Sequence, residues 1–329
     1  MDTKRLLASL LFASLLPACP SVPPGRLDCP EGETCSDATP SGLHFDGARI
    51  RSHAFDFGAA DARATAVGGV QTYDISRGLE PLELEWTADS RGALAVDHVG
   101  ASSAAVRGVS AGTSLLRIVD PETGELYDRT EIAAAPIASV GIVAVDEILL
   151  PGAGRLAIAA GARPVVGIAL EDADGERLID EALTVDATGA SLERRGWDSV
   201  SVRADAAGPV ALSIKAGDLA PQRIELEAVD GVDAIVPGLS SPILSDQPLV
   251  AGGQALICFE GRRGDATVLG LGWTFAADAD GLSTAPELLP NCAAFEPTAP
   301  GHVTITASAG GKSTQLAVDV LPAPPGSAL

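Results

Sequence analysis

The chain has few of the features that a nucleic-acid-binding or membrane-spanning protein requires. It contains only three lysines, Lys4, Lys215 and Lys312, and its 44 acidic residues give it a formal net charge of -22. Such a field repels nucleic-acid phosphates and anionic lipid headgroups. Aromatic residues make up only 4% of the chain, and no apolar run reaches the roughly 20 residues of a transmembrane helix. These shortages exclude nucleic acid as a partner and argue against a permanent membrane span.

The longest apolar run lies at the N-terminus. Lys4 and Arg5 precede an apolar segment from Leu6 to Leu16, which is followed by Pro17, Ala18 and Cys19. This order is typical of a secretory signal peptide. Leu16, Ala18 and Cys19 resemble the lipobox of bacterial lipoproteins. The resemblance implies that residues 1–18 are removed and that Cys19 carries an acyl group such as palmitate; ordinary cleavage near Ala18 is the alternative.

The resemblance also implies a location. A lipidated Cys19 anchors the chain to the bacterial cell envelope. Pro20 is not the Asp that retains some lipoproteins at the inner membrane, so the outer membrane is favoured, on its periplasmic or surface face. Residues 20–42 are rich in Pro, Gly and small polar residues, which predicts a flexible tether.

The five cysteines are an odd number, which in an exported protein indicates that one has a separate use. Cys19 is that one. We expect the others to pair locally, Cys29 with Cys35 and Cys258 with Cys292, because each bridge then stays inside one structural unit. Two other pairings remain open. A zinc site is the competing interpretation, disfavoured because no histidine lies near either pair.

From Leu43 onward the chain shows short alternating apolar segments, frequent Gly and Asp turns, and no amphipathic helix. This pattern predicts an all-β fold of the sandwich or barrel type. One turn and the alternating strand after it occur three times, with glycines at Gly112, Gly208 and Gly301. The spacing of 96 and 93 residues matches one sandwich domain per copy.

A tryptophan strand supplies a second landmark. Trp86 and Trp273 each lie on a predicted strand, and each strand runs into an acidic turn, at 89–92 and 278–281. In the middle copy we assign the equivalent strand to Ile168-Ala169-Leu170 and the equivalent turn to 172–175. A core role between two sheets is expected for both tryptophans.

Together these features resemble the bacterial immunoglobulin-like (BIG2-like) domains that occur in tandem in adhesins and envelope lipoproteins. The resemblance implies three tandem immunoglobulin-like β-sandwich domains after the signal peptide and the linker. The implied divisions are 1–18 for the signal peptide, 19–42 for the lipidated cysteine and tether, 43–135, 136–228 and 229–322 for the domains, and 323–329 for a flexible tail.

Two groups of residues are candidate sites. Trp197 follows Arg194 and Arg195 in a long middle segment and is predicted to be an exposed binding aromatic, since Trp and Arg are enriched at binding hot spots. Asp172, Asp174 and Glu176 offer oxygens at alternate positions, as calcium ligands do. A tight turn uses the same residues for local hydrogen bonds, so calcium is the weaker interpretation and no other cofactor is expected.

No G-x-S-x-G elbow or other catalytic arrangement is present in the sequence, so we predict that the protein is not an enzyme. The expected function is a spacer and a protein-interaction or adhesion module that binds another envelope or extracellular macromolecule. Two alternatives remain open: a calcium-dependent adhesin that uses the acidic turns, and a secreted hydrolase accessory protein.

Overall fold

The computed structural model describes residues 50–52, 64–75, 84–100, 103–122, 124, 126–149, 154–239, 249–284 and 289–323. These residues form 25 β-strands and no helix, which confirms the all-β prediction. Within the same ranges no helix is long and apolar enough to cross a membrane. The strands fall into three consecutive groups.

The first group contains eight strands: β1 (Ile50–Ser52), β2 (Ala64–Ala66), β3 (Val70–Ile75), β4 (Glu85–Ala88), β5 (Leu94–Val99), β6 (Ser103–Gly108), β7 (Gly112–Val119) and β8 (Leu126–Ala135). The second contains nine: β9 (Ser139–Ala144), β10 (Arg155–Ala159), β11 (Val165–Glu171), β12 (Leu178–Ile179), β13 (Thr184–Thr188), β14 (Ser191–Arg194), β15 (Ser199–Arg203), β16 (Gly208–Lys215) and β17 (Gln222–Val229). The third contains eight: β18 (Ala234–Leu239), β19 (Ala255–Arg263), β20 (Ala266–Leu269), β21 (Thr274–Ala277), β22 (Leu282–Thr284), β23 (Cys292–Phe295), β24 (Gly301–Ala309) and β25 (Lys312–Val320).

Each group repeats the same two-sheet arrangement. One sheet has the order β1-β3-β6-β5, repeated as β9-β11-β15-β14 and β18-β19-β23-β22. The other pairs β4-β7-β8, repeated as β13-β16-β17 and β21-β24-β25. These are the four-stranded and three-stranded sheets of an immunoglobulin sandwich. A short edge strand joins the second sheet of each group by pairing in parallel with its last strand: β2 with β8, β10 with β17, and residues 249–251 with Leu321.

The predicted turn and alternating strand are confirmed in all three copies. Gly112, Gly208 and Gly301 begin β7, β16 and β24 with positive φ angles of 140°, 152° and 150°. In β24 the alternate residues Val303, Ile305 and Ala307 are buried and the residues between them are not. Period-two burial places one face of this strand in the core and the other in solvent.

Trp86 occupies the core position expected of it, but Trp273 does not occupy an equivalent one. Trp86 is buried in the core of the first group and pairs with Ile118, six residues after Gly112. In the third group the residue six after the turn glycine pairs with Phe275. Trp273 lies just before β21, half-buried, with its ring stacked on that of Phe275.

The sequence assignment of the middle copy is wrong. Ile168 to Leu170 lies on β11, in the other sheet, and the residue equivalent to Trp86 is Val185 on β13, opposite Ile214. The turn equivalent to those at 89–92 and 278–281 is at Gly189, whose φ is +81°. Because β13 carries no aromatic residue and no acidic turn follows it, the apolar run and Asp-x-Asp-Gly turn of β11 matched the pattern instead.

The sheets continue from one group into the next. We call β12 and β20 the bridging strands, because each belongs to one group and pairs in parallel with the edge strand of the preceding group. β20 also pairs with β19 of its own group, so one nine-stranded sheet runs through the second and third groups. Each junction therefore contains a parallel triplet of strands drawn from two groups.

Candidate functional site

The predicted binding residues Arg194, Arg195 and Trp197 lie at the end of β14 and in the compact loop that follows it. Trp197 is half-buried and packs against an apolar cluster that includes Ile168 and Leu183. The Arg194 guanidinium donates hydrogen bonds to the carbonyl oxygens of Leu183 at 2.7 Å, Gly196 at 2.9 Å and Trp197.

Arg194 therefore stabilises the conformation of this loop, which is a structural role. Arg195 is exposed and pairs with Glu193 at 3.2 Å, an arrangement worth little in stability. The structure therefore brings Arg194, Arg195 and Trp197 together, and a binding role for them stays a prediction.

The predicted calcium turn has the geometry of a hydrogen-bonded turn. One carboxylate oxygen of Asp172 accepts the backbone N–H groups of Asp174 and Glu176, both at 2.9 Å, and Gly175 has a φ of +83°. This is the local bonding for which Asp and Gly are used in turns. In the described ranges no three His, Cys, Asp or Glu side chains are grouped to hold a metal ion.

Cys258 and Cys292 form a disulfide bridge with their Cα atoms 4.0 Å apart. They lie directly opposite each other on the antiparallel strands β19 and β23, and both are fully buried. Cys19, Cys29 and Cys35 lie outside the described residues, so lipidation and the second bridge stay predictions.

A buried carboxylate that the sequence did not indicate lies at the first junction. Asp180 follows the bridging strand β12 and is 1% exposed. Its two oxygens accept the backbone N–H groups of Val70 at 3.0 Å, Ala182 at 3.0 Å and Gly217 at 2.7 Å. Val70 belongs to the first group and Gly217 to the second, so one side chain satisfies donors on both sides of the junction.

A second carboxylate occupies the second junction. Glu147 lies between β9 and β10, is 9% exposed, and accepts the backbone N–H of Gly270 in the third group at 2.5 Å. Burial raises the pKa of Glu147 to about 7 against the opposing effect of this hydrogen bond, and the nearby Asp146 and Glu260 carboxylates raise it further. A carboxyl group in such an environment changes charge near neutral pH.

Asn291 locks the same segment. Its side-chain oxygen accepts the N–H of Ile148 at 3.1 Å, and its amide nitrogen donates to the carbonyls of Ile148 at 2.7 Å and Phe259 at 3.1 Å. Asn291 belongs to the third group and is 1% exposed. The three hydrogen bonds of this one buried amide hold Ile148, which precedes β10, against the core of the third group.

A glycine turn after each edge strand is a third repeat landmark. Gly68, Gly161 and Gly252 have φ angles of +79°, +79° and +78°, and the residue after each donates its N–H to the carbonyl of the residue two before the glycine. The sequence signal was present as Val67-Gly68-Gly69, Ala160-Gly161-Ala162 and Ala251-Gly252-Gly253. The three glycines are 93 and 91 residues apart, close to the repeat already found.

At the first junction this turn touches the following group. A Cβ atom on Gly68 would lie 2.4 Å from the backbone nitrogen of Asp218, and one on Gly217 would lie 2.3 Å from the carbonyl oxygen of Val67. Asp218 also donates its N–H to that oxygen at 3.2 Å. The junction thus depends on backbone approach that only glycine permits.

No protein-family model and no curated protein matches the chain. Among solved structures it is similar to domains 4–9 of the surface layer protein SbsC, with 13% identity, a TM-score of 0.30, and 84% of this chain aligned to 48% of that one. It is also similar to invasin, a bacterial integrin-binding protein, with 16% identity, a TM-score of 0.25, and coverage of 84% and 60%. A third is FdeC, an Escherichia coli adhesin, with 13% identity, a TM-score of 0.24, and coverage of 85% and 99%. The chain therefore spans about half the length of the SbsC fragment. The immunoglobulin-like fold is seen in the strand order described above, and these TM-scores do not extend it.

Proposed function

We propose that this chain is a cell-envelope lipoprotein, held by an acyl group on Cys19, whose tandem immunoglobulin-like domains serve as a non-catalytic spacer and interaction module. The proposed domains are residues 43–135, 136–228 and 229–322, and the proposed anchor membrane is the outer membrane. The observation that carries the proposal is the repeated junction, in which a bridging strand of one group extends the sheet of the preceding group.

This junction suits a spacer because it resists bending. Ala157 of β10 packs into the apolar core of the third group, and Leu269 of β20 packs into that of the second. Exchange of core residues buries apolar area at the boundary, which is the main source of stability in such contacts. Domains joined only by a linker have small, polar contacts and move relative to each other.

The partner that we propose is another envelope or extracellular macromolecule. Repeated sandwiches present loops and strand edges over a long surface, and such surfaces suit contact with other macromolecules. Three domains joined end to end extend on the order of 100 Å, given a radius of gyration of about 13 Å for each. The lipid would fix one end of the chain and leave the other free to meet the partner.

Anchoring is tested by expressing the full-length precursor in a bacterial host and separating membranes by detergent phase partition. We expect the wild-type protein in the detergent phase and Cys19→Ser in the aqueous phase, because a single substitution removes the acyl site. Cys29→Ser is the matched control, since it removes a neighbouring cysteine and leaves the acyl site intact. Wild-type protein found only in the aqueous phase would contradict the proposal.

The spacer role is tested by small-angle X-ray scattering of the mature chain lacking the acyl group. We expect a maximum dimension on the order of 100 Å, as expected for domains in a row. A compact particle whose maximum dimension is close to that of one or two domains would rule out the spacer role.

A further inference from the structure

The third group differs from the other two in the charge of one edge strand. β4, β13 and β21 each lie at the end of a sheet. Among the residues that the structure describes, each of them pairs with a single neighbour, namely β7, β16 and β24. The free side of such a strand offers backbone N–H and C=O groups to another chain, and proteins commonly protect it with charged side chains.

The register of the three copies locates these charges. The equivalent residues of the three strands are those that pair with the residue six after the turn glycine. They are Trp86, Val185 and Phe275. Glu85 of β4 therefore corresponds to Thr274, and Asp186 of β13 corresponds to Ala276. All four of these side chains are exposed, so the edge that is acidic in the first two groups is uncharged in the third.

The uncharged surface continues from β21 onto the outer face of its sheet. The side chains next to Thr274 and Ala276 across the sheet are Ser308, Ser313, Thr306 and Gln315. The row equivalent to that of Ala276 contains Arg117 and Arg129 in the first group and Arg223 in the second. No charged residue occurs from 266 to 277. Two copies of a chain with a net charge of -22 can therefore meet at this edge without opposing carboxylates.

We propose that β21 is a self-association edge, at which β21 of a second copy pairs in antiparallel around a two-fold axis at Phe275. A two-fold axis perpendicular to a sheet relates two identical edge strands in opposite directions, so one surface serves both copies. Strand addition at an edge gains affinity from main-chain hydrogen bonds. The inference rests on the proposed function and deepens it by naming a second copy as the partner.

The backbone of β21 is oriented for this pairing. Asp278 donates its N–H to the Thr304 carbonyl at 3.2 Å, so its backbone groups face β24. Along an antiparallel strand, successive residues direct their N–H and C=O groups to opposite sides. The groups of Phe275 and Ala277 therefore face away from β24. An axis at Phe275 lets the two copies of this residue exchange both of their hydrogen bonds.

The side chains are also self-complementary in this register. Thr274 of one copy lies beside Ala276 of the second copy, and these small side chains leave the two strands free to approach. Asp278 lies across from Gly272, so the nearest carboxylate of each copy meets a glycine. Antiparallel neighbours on one face interact directly, and like charges placed opposite each other are destabilising.

The test is sedimentation velocity of residues 19–329 carrying Cys19→Ser, which removes both the acyl site and a thiol that could cross-link two copies. Between about 1 and 300 µM, a range suited to a small interface, the sedimentation coefficient should rise from that of a monomer to that of a dimer. Thr274→Glu and Ala276→Asp restore the acidic residues of the other two groups, and each should weaken dimerisation at least tenfold. Thr274→Lys combined with Ala276→Asp places opposite charges side by side twice and should recover the dimer.

Ala133→Asp is the matched control, because Ala133 is an exposed alanine on the equivalent sheet of the first group, and its dimerisation should equal the wild type. Circular dichroism melting of each variant checks folding. Four outcomes overturn the inference: a monomer at all concentrations, a dimer that Ala276→Asp leaves intact, equal weakening by Ala133→Asp, and no recovery by the Lys–Asp pair. Failure here leaves the acyl anchor and the spacer role untouched, whereas failure of the Cys19→Ser partition test leaves this edge untouched.

Discussion

At the residue scale, Asp180 is the side chain on which the first junction depends. Its substitution by Ala removes the acceptor of the N–H groups of Val70, Ala182 and Gly217. Ala182 is exposed, so water can replace the carboxylate there, whereas Val70 and Gly217 are half-buried. Each donor left without a partner costs on the order of 1 kcal/mol, so we expect Asp180→Ala to lower the free energy of unfolding by about 2 kcal/mol. Urea unfolding followed by circular dichroism measures the change.

Asp174→Ala is the control for this substitution, because Asp174 is exposed and joins its turn through its backbone N–H, which the substitution keeps. Asp180→Asn retains one acceptor oxygen and should fall between the two. Amide hydrogen exchange at Gly217 and Val70 should rise in Asp180→Ala. Equal stability of Asp180→Ala and Asp174→Ala would show that the carboxylate does not hold the junction.

Glu147 makes stability depend on pH. Its folded-state pKa of about 7 exceeds the ordinary value of 4.5, so the folded chain binds the proton more tightly than the unfolded chain does. The stabilising contribution is therefore complete below about pH 4.5 and is lost as pH rises through 7. The pKa difference corresponds to a loss on the order of 3 kcal/mol.

Glu147→Gln removes this dependence and keeps an oxygen that can accept from Gly270. We expect the variant to match the wild type near pH 4 and to exceed it in free energy of unfolding near pH 8. Glu122→Gln is the control, since Glu122 is exposed. Parallel stability curves for Glu147→Gln and the wild type between pH 5 and 8 would refute the assignment.

These two carboxylates could not be predicted from the sequence. Asp180 and Glu147 are single acidic residues among 44, and each is buried only because the neighbouring group packs over it. The burial of Trp86 could be predicted, because a large aromatic side chain on an alternating strand buries its apolar area between the two sheets. Residues that are buried by the alternating pattern of their own strand can be predicted from the sequence. Residues that are buried because a distant segment packs over them cannot.

At the scale of elements, the glycine turn after β2 allows a matched test. Gly68 and Gly92 have the same φ of +79°, but a Cβ atom on Gly92 meets nothing within 4 Å. Gly92→Ala should cost about 1 to 2 kcal/mol for the left-handed backbone alone. Gly68→Ala should cost at least about 2 kcal/mol more, because it also displaces Asp218.

Urea unfolding measures both costs, and limited proteolysis reports where the chain opens. Cleavage in Gly68→Ala should concentrate near the first junction, at residues 216–219 and 136–138. Equal destabilisation by the two substitutions would indicate that Asp218 can move away from Gly68 at no cost in stability.

The strands that could be predicted are those with a long alternating face. The strands after Gly112, Gly208 and Gly301 are eight or nine residues long and carry several inward apolar residues, so their period is visible. The bridging strand β12 has two residues, too few for any period. It forms because the edge strand of the preceding group supplies its hydrogen-bond partners. The sequence of β12 itself does not indicate that contact.

At the scale of the whole molecule, damage to one group should spread to its neighbour. The Cys258–Cys292 bridge closes a loop of 34 residues, and its removal by paired Cys→Ala substitutions should cost roughly 3 to 4 kcal/mol. Because Ala157 of β10 packs in the core of the third group, amide exchange should rise in β10. Nearest-neighbour coupling of this kind is expected in repeat proteins.

Hydrogen exchange with mass spectrometry can follow all three groups at once. Exchange in β7 of the first group should stay unchanged, and it serves as the internal control. Unchanged exchange in β10 after loss of the bridge would show that the second and third groups unfold independently, and would weaken the spacer role.

The parallel pairing of each edge strand with the last strand of its group decides how the chain responds to tension. A pull between the two ends of the chain draws β2 by its N-terminal end and β8 by its C-terminal end, and it does the same to β10 and β17. Parallel strands pulled in this way slide past each other, so their hydrogen bonds bear the load together instead of opening one at a time. Each bridging strand adds a second loaded row at the junction. A tethered chain of this construction would yield late and abruptly under force.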